Sequence, residues 1–110
     1  SQITRDHSVV QSLVESGELT AEEAKVHPDK NVITRALGTE KDVVCDCYEI
    51  GFDKDDILLF CTDGLTNFLD NESILKYIRG TEISSACEKL IDAANKSGGG
   101  DNITAVVCCK

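Results

Sequence analysis

The sequence predicts an α+β chain, and three observations predict it. Ile57 to Cys61 is a continuous apolar run of five, which reads as a strand buried on both faces. Ile83, Ala86, Cys87, Leu90, Ile91 and Ala94 recur at the spacing of one helical face, the clearest amphipathic helix in the chain. Ile103 to Cys109 is a Val-rich run that reads as a last strand.

The other elements follow in order. Asp6 to Ser16 reads as a short helix, with Val9, Val10, Leu13 and Val14 on one face, Asp6 as its cap and Gly17 as its stop. Thr20 and Glu23 form a capping box for a second short helix, which Pro28 ends. Neither helix is long enough to be stable alone. Residues 8–31 are therefore expected to pack on the body as a subdomain or flap. Asn31 to Leu37 reads as an extended segment, and Val43 to Ile50 as a strand closed by Gly51. Asn71 to Arg79 reads as a helix with Ile74, Leu75 and Ile78 inward and Gly80 as the stop. Gly98 to Gly100 end the long helix.

The chain has 110 residues, enough for one domain or a piece of one. It carries no initiator Met and no Met anywhere, and it is read as a piece of a longer protein. A net charge of −9 argues against a nucleic-acid partner, which requires Lys and Arg patches on phosphates. The same charge suits cation binding or plain solubility. No apolar run approaches the ~18 residues of a membrane span, and no signal peptide is visible. The six cysteines, Cys45, Cys47, Cys61, Cys87, Cys108 and Cys109, sit mostly inside apolar stretches. Buried reduced thiols are the reading taken, ahead of disulfides or a metal site, and they point to the cytoplasm.

Two carboxylates stand out by position. Asp63 follows the 57–61 run and precedes Gly64; Asp101 follows three glycines and precedes the last strand. A strand end lets a rigid scaffold aim a side chain into a loop region. If the two strands are neighbours, converging carboxylates would suit a hard cation such as Mg²⁺ or Mn²⁺. The plainer reading makes both of them turn and capping residues. His7 and His27 are read as surface histidines, because no nucleophile elbow or Cys–His pairing accompanies them. The glycine triplet lacks the pattern of a phosphate-binding loop. Asp53, Asp55 and Asp56 do not fit a Ca²⁺-binding loop.

Several segments resemble the bacterial branch of the type 2C metal-dependent protein phosphatases. They are Thr4-Arg5-Asp6-His7-Ser8, Gly17 to Glu23, His27-Pro28, and Asn31 to Gly38. Asp56 to Thr66 resembles that family's strand and Asp-Gly turn, and Gly99 to Val107 its Asp-Asn motif. The order and spacing run over almost the whole chain.

The resemblance implies part of an α/β/β/α sandwich, with two antiparallel sheets in the centre and helices outside. Residues 1–110 would be the C-terminal part of one catalytic domain. It implies hydrolysis of phosphoserine and phosphothreonine in proteins by water activated at a binuclear Mg²⁺/Mn²⁺ centre, with phosphoprotein partners and an opposing Ser/Thr kinase. Asp63 and Asp101 match two of the metal ligands; Gly64 and Asn102 would support the turns. The remaining ligands, the phosphate-binding Arg and the proposed acid His lie upstream in the family, so this chain alone is expected to be inactive. Asn67 stands where some members carry an Asp for a third ion. The alternative is a non-catalytic regulatory module of the same fold.

Overall fold

Helix caps organise the first part of the molecule. The computed structural model describes residues 1–110, which form two compact units, Ser1–Glu49 and Ile50–Lys110. In the first, α1 (Val9–Glu15) starts two residues later than the sequence suggests. Its cap is Ser8, whose hydroxyl accepts the Gln11 N–H at 3.2 Å. Asp6 instead accepts from the Gln2 amide at 3.0 Å. The expected capping box opens α2 (Ala21–Val26): Thr20 Oγ1 accepts Glu23 N–H, and the Glu23 carboxylate accepts Thr20 N–H. His27 caps its end, immediately before Pro28.

The two extended segments expected in this unit are only partly realised. Residues 31–37 contribute one bridge, Ser8 to Ile33, flanked by Val9 N–H to Val32 O at 3.0 Å and Thr34 N–H to His7 O at 2.8 Å. The strand expected at Val43 to Ile50 is absent. A run rich in strand-forming residues makes a strand only when a neighbour completes the ladder, and this stretch has none. It is held by side chains instead. Asp46 accepts from Arg35 at 2.9 Å and Tyr48 at 3.4 Å, and sits 2.7 Å from His7 Nε2. Arg35 also donates to Val44 O at 2.8 Å. The Arg35 guanidinium, with His7 second, lowers the Asp46 carboxyl to about 2. The only buried residues here are Ser8 and Val10, so this polar knot joins segments that no apolar core joins.

The second unit runs β1 (Ile57–Cys61), α3 (Asp63–Thr66), α4 (Asn71–Arg79), α5 (Ile83–Lys96), β2 (Ala105–Cys109). The two strands pair antiparallel, from Ile57 opposite Cys109 to Cys61 opposite Ala105. Asp70 caps α4 by accepting Ser73 N–H at 2.8 Å. The core is Leu65, Leu69, Ile74, Ile78, Leu90, Ala93 and Ala94, with Leu59, Phe68, Ile103 and Ala105 packed against it. Of the inward face predicted for α5, Ala86, Leu90 and Ala94 are buried together with Ala93, Cys87 and Ile91 are half-buried, and Ile83 is exposed; Leu75 of α4 is exposed as well.

β1 is not buried on both faces. Leu59 packs on the core, but Phe60 and its cross-strand partner Val106 are 56% and 50% exposed. Successive side chains alternate between faces, and here the helical core covers one face of a two-stranded sheet. The cysteines also depart from expectation. All six are free, as expected, but not buried: Cys45, Cys47, Cys61 and Cys109 are exposed, and Cys87 and Cys108 half-buried. Cys61 and Cys109 lie at the two ends of the strand pair, Cys108 within β2, Cys87 on α5, and Cys45 and Cys47 in the unpaired 43–50 stretch. The architecture is thus mixed helix and strand, with a single two-stranded antiparallel sheet. No helix is long and apolar enough to cross a membrane.

Candidate metal centre

Where β1 ends and β2 begins, the ladder continues one step beyond the last regular pair. Residues of a hydrogen-bonded antiparallel pair exchange two N–H to O=C bonds. Thr62 N–H donates to Thr104 O at 3.1 Å, the first of the two. The return bond to Thr62 O is not made; that oxygen accepts Leu65 N–H at 3.0 Å instead, at the start of α3. Thr62 Oγ1 takes its place, accepting Thr104 N–H at 3.0 Å and donating to Asn102 O at 3.3 Å. Thr62 is the N-cap of α3, yet its hydroxyl makes no capping bond.

This junction sets the two acidic residues. Asp63 is the first residue of α3, and its carbonyl accepts Asn67 N–H at 2.8 Å. Asp101 precedes Asn102, whose N–H donates to Asp101 Oδ1 at 2.7 Å. Both residues are exposed. Gly64 is buried against the Asn102 backbone, where any side chain would collide. The glycine turn after α5 is as tight. Gly99 has φ +54°, which favours glycine, and a Cβ on Gly98 would strike the Phe68 ring at 2.6 Å. The strands are therefore antiparallel neighbours, and their connected ends carry Asp63 and Asp101.

Two exposed carboxylates are hard oxygen donors of the kind Mg²⁺ and Mn²⁺ take. Their chemistry fits such an ion, and they supply part of a coordination shell of about six. No group of three or more His, Cys, Asp or Glu side chains is gathered anywhere in the chain. The histidines are otherwise committed. His7 faces Asp46, and His27 Nδ1 accepts Asp29 N–H at 3.1 Å. Asn67 ends α3, its N–H donating back to Asp63 O. Sequence reasoning passed over Thr62. Its place before an acidic first turn signals a capping hydroxyl, and that signal names the residue but not the use made of it.

No family model matches the sequence. Individual proteins do. The chain is 43% identical over 109 residues to the serine/threonine phosphatase stp of Listeria monocytogenes, covering 96% of this chain and 42% of that protein. The crystal structure of serine/threonine phosphatase Stp1 from Staphylococcus aureus superposes with a TM-score of 0.94 at 34% identity, over 100% of this chain and 44% of that one. The catalytic domain of the phosphatase PstP, crystallised with two manganese ions, superposes with a TM-score of 0.77 at 37% identity, over 97% and 44%. The chain thus spans less than half the length of the proteins it matches. Sequence and fold agree along that span, and the chain is similar throughout to the C-terminal part of bacterial serine/threonine phosphatases.

Proposed function

We propose that the chain is the C-terminal part of a protein-serine/threonine phosphatase catalytic domain, in which Asp63 and Asp101 are metal ligands. The observation that supports this reading is the hydrogen bond between their chain neighbours, Thr62 and Asn102, at one end of the β1–β2 pair, across 40 positions of sequence. Turn residues alone do not require such a tie. The manganese-bound neighbour supports Mn²⁺ or Mg²⁺ as the ion, two of them in the complete domain. When bound, these ions would activate water and neutralise charge on a phosphoryl group.

This chain's own residues would hold and orient. Asp63 and Asp101 supply oxygen ligands from two backbones. Gly64 lets those backbones touch, and Asn102 N–H fixes one oxygen of Asp101. The exposed Phe60–Val106 face supports the two-sheet sandwich of the family, with a second sheet laid on the first. Residues 8–31 would be its flap, selecting protein substrates. Asn67 supplies no carboxylate for a third ion. The substrates would be cytoplasmic phosphoproteins, in opposition to a Ser/Thr kinase.

The test is turnover of p-nitrophenyl phosphate with Mn²⁺, by this chain alone and by a protein spanning the relatives' full length. The short chain is expected to match buffer, because two carboxylates leave each ion short of ligands. The long one is expected to turn over. A long protein without turnover, yet correctly folded, would favour the non-catalytic module instead.

A further inference from the structure

Thr62 has one hydroxyl and three claims upon it. An N-cap threonine ordinarily spends its oxygen on the helix it opens. Here the backbone carbonyl of Thr62 accepts Leu65 N–H in α3, while its hydroxyl accepts Thr104 N–H and donates to the Asn102 carbonyl. The hydroxyl thus makes two bonds to the opposite segment and none to its own helix. An antiparallel strand thereby becomes a helix without losing its grip on the neighbouring backbone. The grip falls between Asp63, the next residue in the chain, and Asn102, the residue after Asp101.

We infer that Thr62 is a positioning residue, whose hydroxyl sets the separation of the Asp63 and Asp101 carboxylates by locking the 101–104 segment to the start of α3. The inference rests on the metal-ligand reading for its purpose, but the lock itself can be tested without metal. Valine keeps the shape of threonine and removes the hydroxyl; serine keeps the hydroxyl.

In the 110-residue chain, amide exchange by NMR should be about tenfold faster at Thr104 in Thr62→Val, the scale of one lost hydrogen bond. Thr62→Ser should restore protection, and the amides of α5 should not change in either variant. Unchanged Thr104 exchange in Thr62→Val overturns the lock. If Thr62→Val melts the second unit, Thr62→Ser decides: loss of Thr104 protection with the hydroxyl present also overturns it. Mn²⁺ then serves as a paramagnetic probe. In the native chain and in Thr62→Ser, the Asp63 and Asp101 signals should broaden together at one concentration. In Thr62→Val they should broaden at separate, higher concentrations. Joint broadening in Thr62→Val shows that the hydroxyl does not set the separation. Absence of broadening in the native chain, with the exchange result intact, defeats the metal reading and the purpose assigned to Thr62 together.

Discussion

Gly64 lies against the backbone of Asn102: the Asn102 carbonyl carbon is 3.0 Å from the point a Cβ on Gly64 would occupy, and its oxygen is nearer. Helix α3 thus meets the segment before β2 backbone to backbone. The φ of Gly64 is not in the left-handed region, so contact and not conformation excludes other residues. The same oxygen accepts from Thr62 Oγ1, which leaves it little freedom to retreat.

Gly64→Ala should therefore destabilise the second unit, by about 1–3 kcal/mol as an overpacked contact. Gly51→Ala is the control, since nothing lies within 4 Å of a Cβ there. Thermal melting should separate the two. A Gly64→Ala variant that melts with the parent would mean the two backbones part easily.

The elements legible in the sequence were those whose apolar pattern is satisfied within the chain. α4 and α5 each lay one stripe on the same core, so their period alone placed them. β1 was placed by five apolar residues, but its surroundings were not, because a run of residues says nothing about how many layers cover it. Val43 to Ile50 failed for a related reason: a run of strand-forming residues marks a potential for pairing, and pairing is a property of two segments. The helix start moved from Asp6 to Ser8 because both are good caps, and only the bridge to Ile33 decides between them. At the site, Asp63 and Asp101 were legible as strand-end carboxylates. Thr62 was not, since its role depends on a carbonyl being diverted into a helix.

The cysteines yield a prediction opposite to burial. Under denaturing, non-reducing conditions, alkylation should add six labels, since all six thiols are free. In the native chain, Cys45 and Cys47 should react before Cys87 and Cys108, which are half-buried. Cys61 should lag behind Cys45 and Cys47 although it too is exposed. Burial of its thiol raises its pKa, and the thiolate is the reactive form. Peptide mass analysis of a timed iodoacetamide series checks the order. Equal rates at Cys61 and Cys45 would contradict it.

Asp46 predicts an acid-sensitive first unit. Its carboxyl is lowered from 3.8 to about 2 by Arg35 first and His7 second, so the folded state favours the charged form. A depressed pKa contributes stability that is present above about 3.8 and lost as pH falls through about 2. Protection of the Val9 and Thr34 amides, which bond Val32 O and His7 O, should thus fall over that window. Asp46→Asn should lower their protection at neutral pH and remove this part of the acid dependence. Hydrogen exchange of the two amides, followed from pH 5 downward (about one unit above the ordinary carboxyl range), provides the measurement. Unaltered protection in Asp46→Asn would show that the knot is incidental.

Asp63→Asn and Asp101→Asn separate the metal-ligand reading from the turn reading. Both side chains are exposed and outside the apolar core, so neither change removes packing. Asn keeps one carbonyl oxygen, which at position 101 can still accept the Asn102 N–H now held by Oδ1. Stability should therefore stay within about 0.5 kcal/mol, the usual range of a surface substitution. Charge is what changes. A hard cation loses an anionic ligand, and a loss of about 3 kcal/mol in transition-state stabilisation would cost about a hundredfold in turnover. In a protein spanning the relatives' full length, each variant should lose roughly that much or more, and raising Mn²⁺ should recover part of it. The turn reading demands the reverse balance, a lowered melting temperature with near-normal turnover. Measuring turnover against Mn²⁺ concentration beside the melting temperature decides the matter, because no single outcome satisfies both readings.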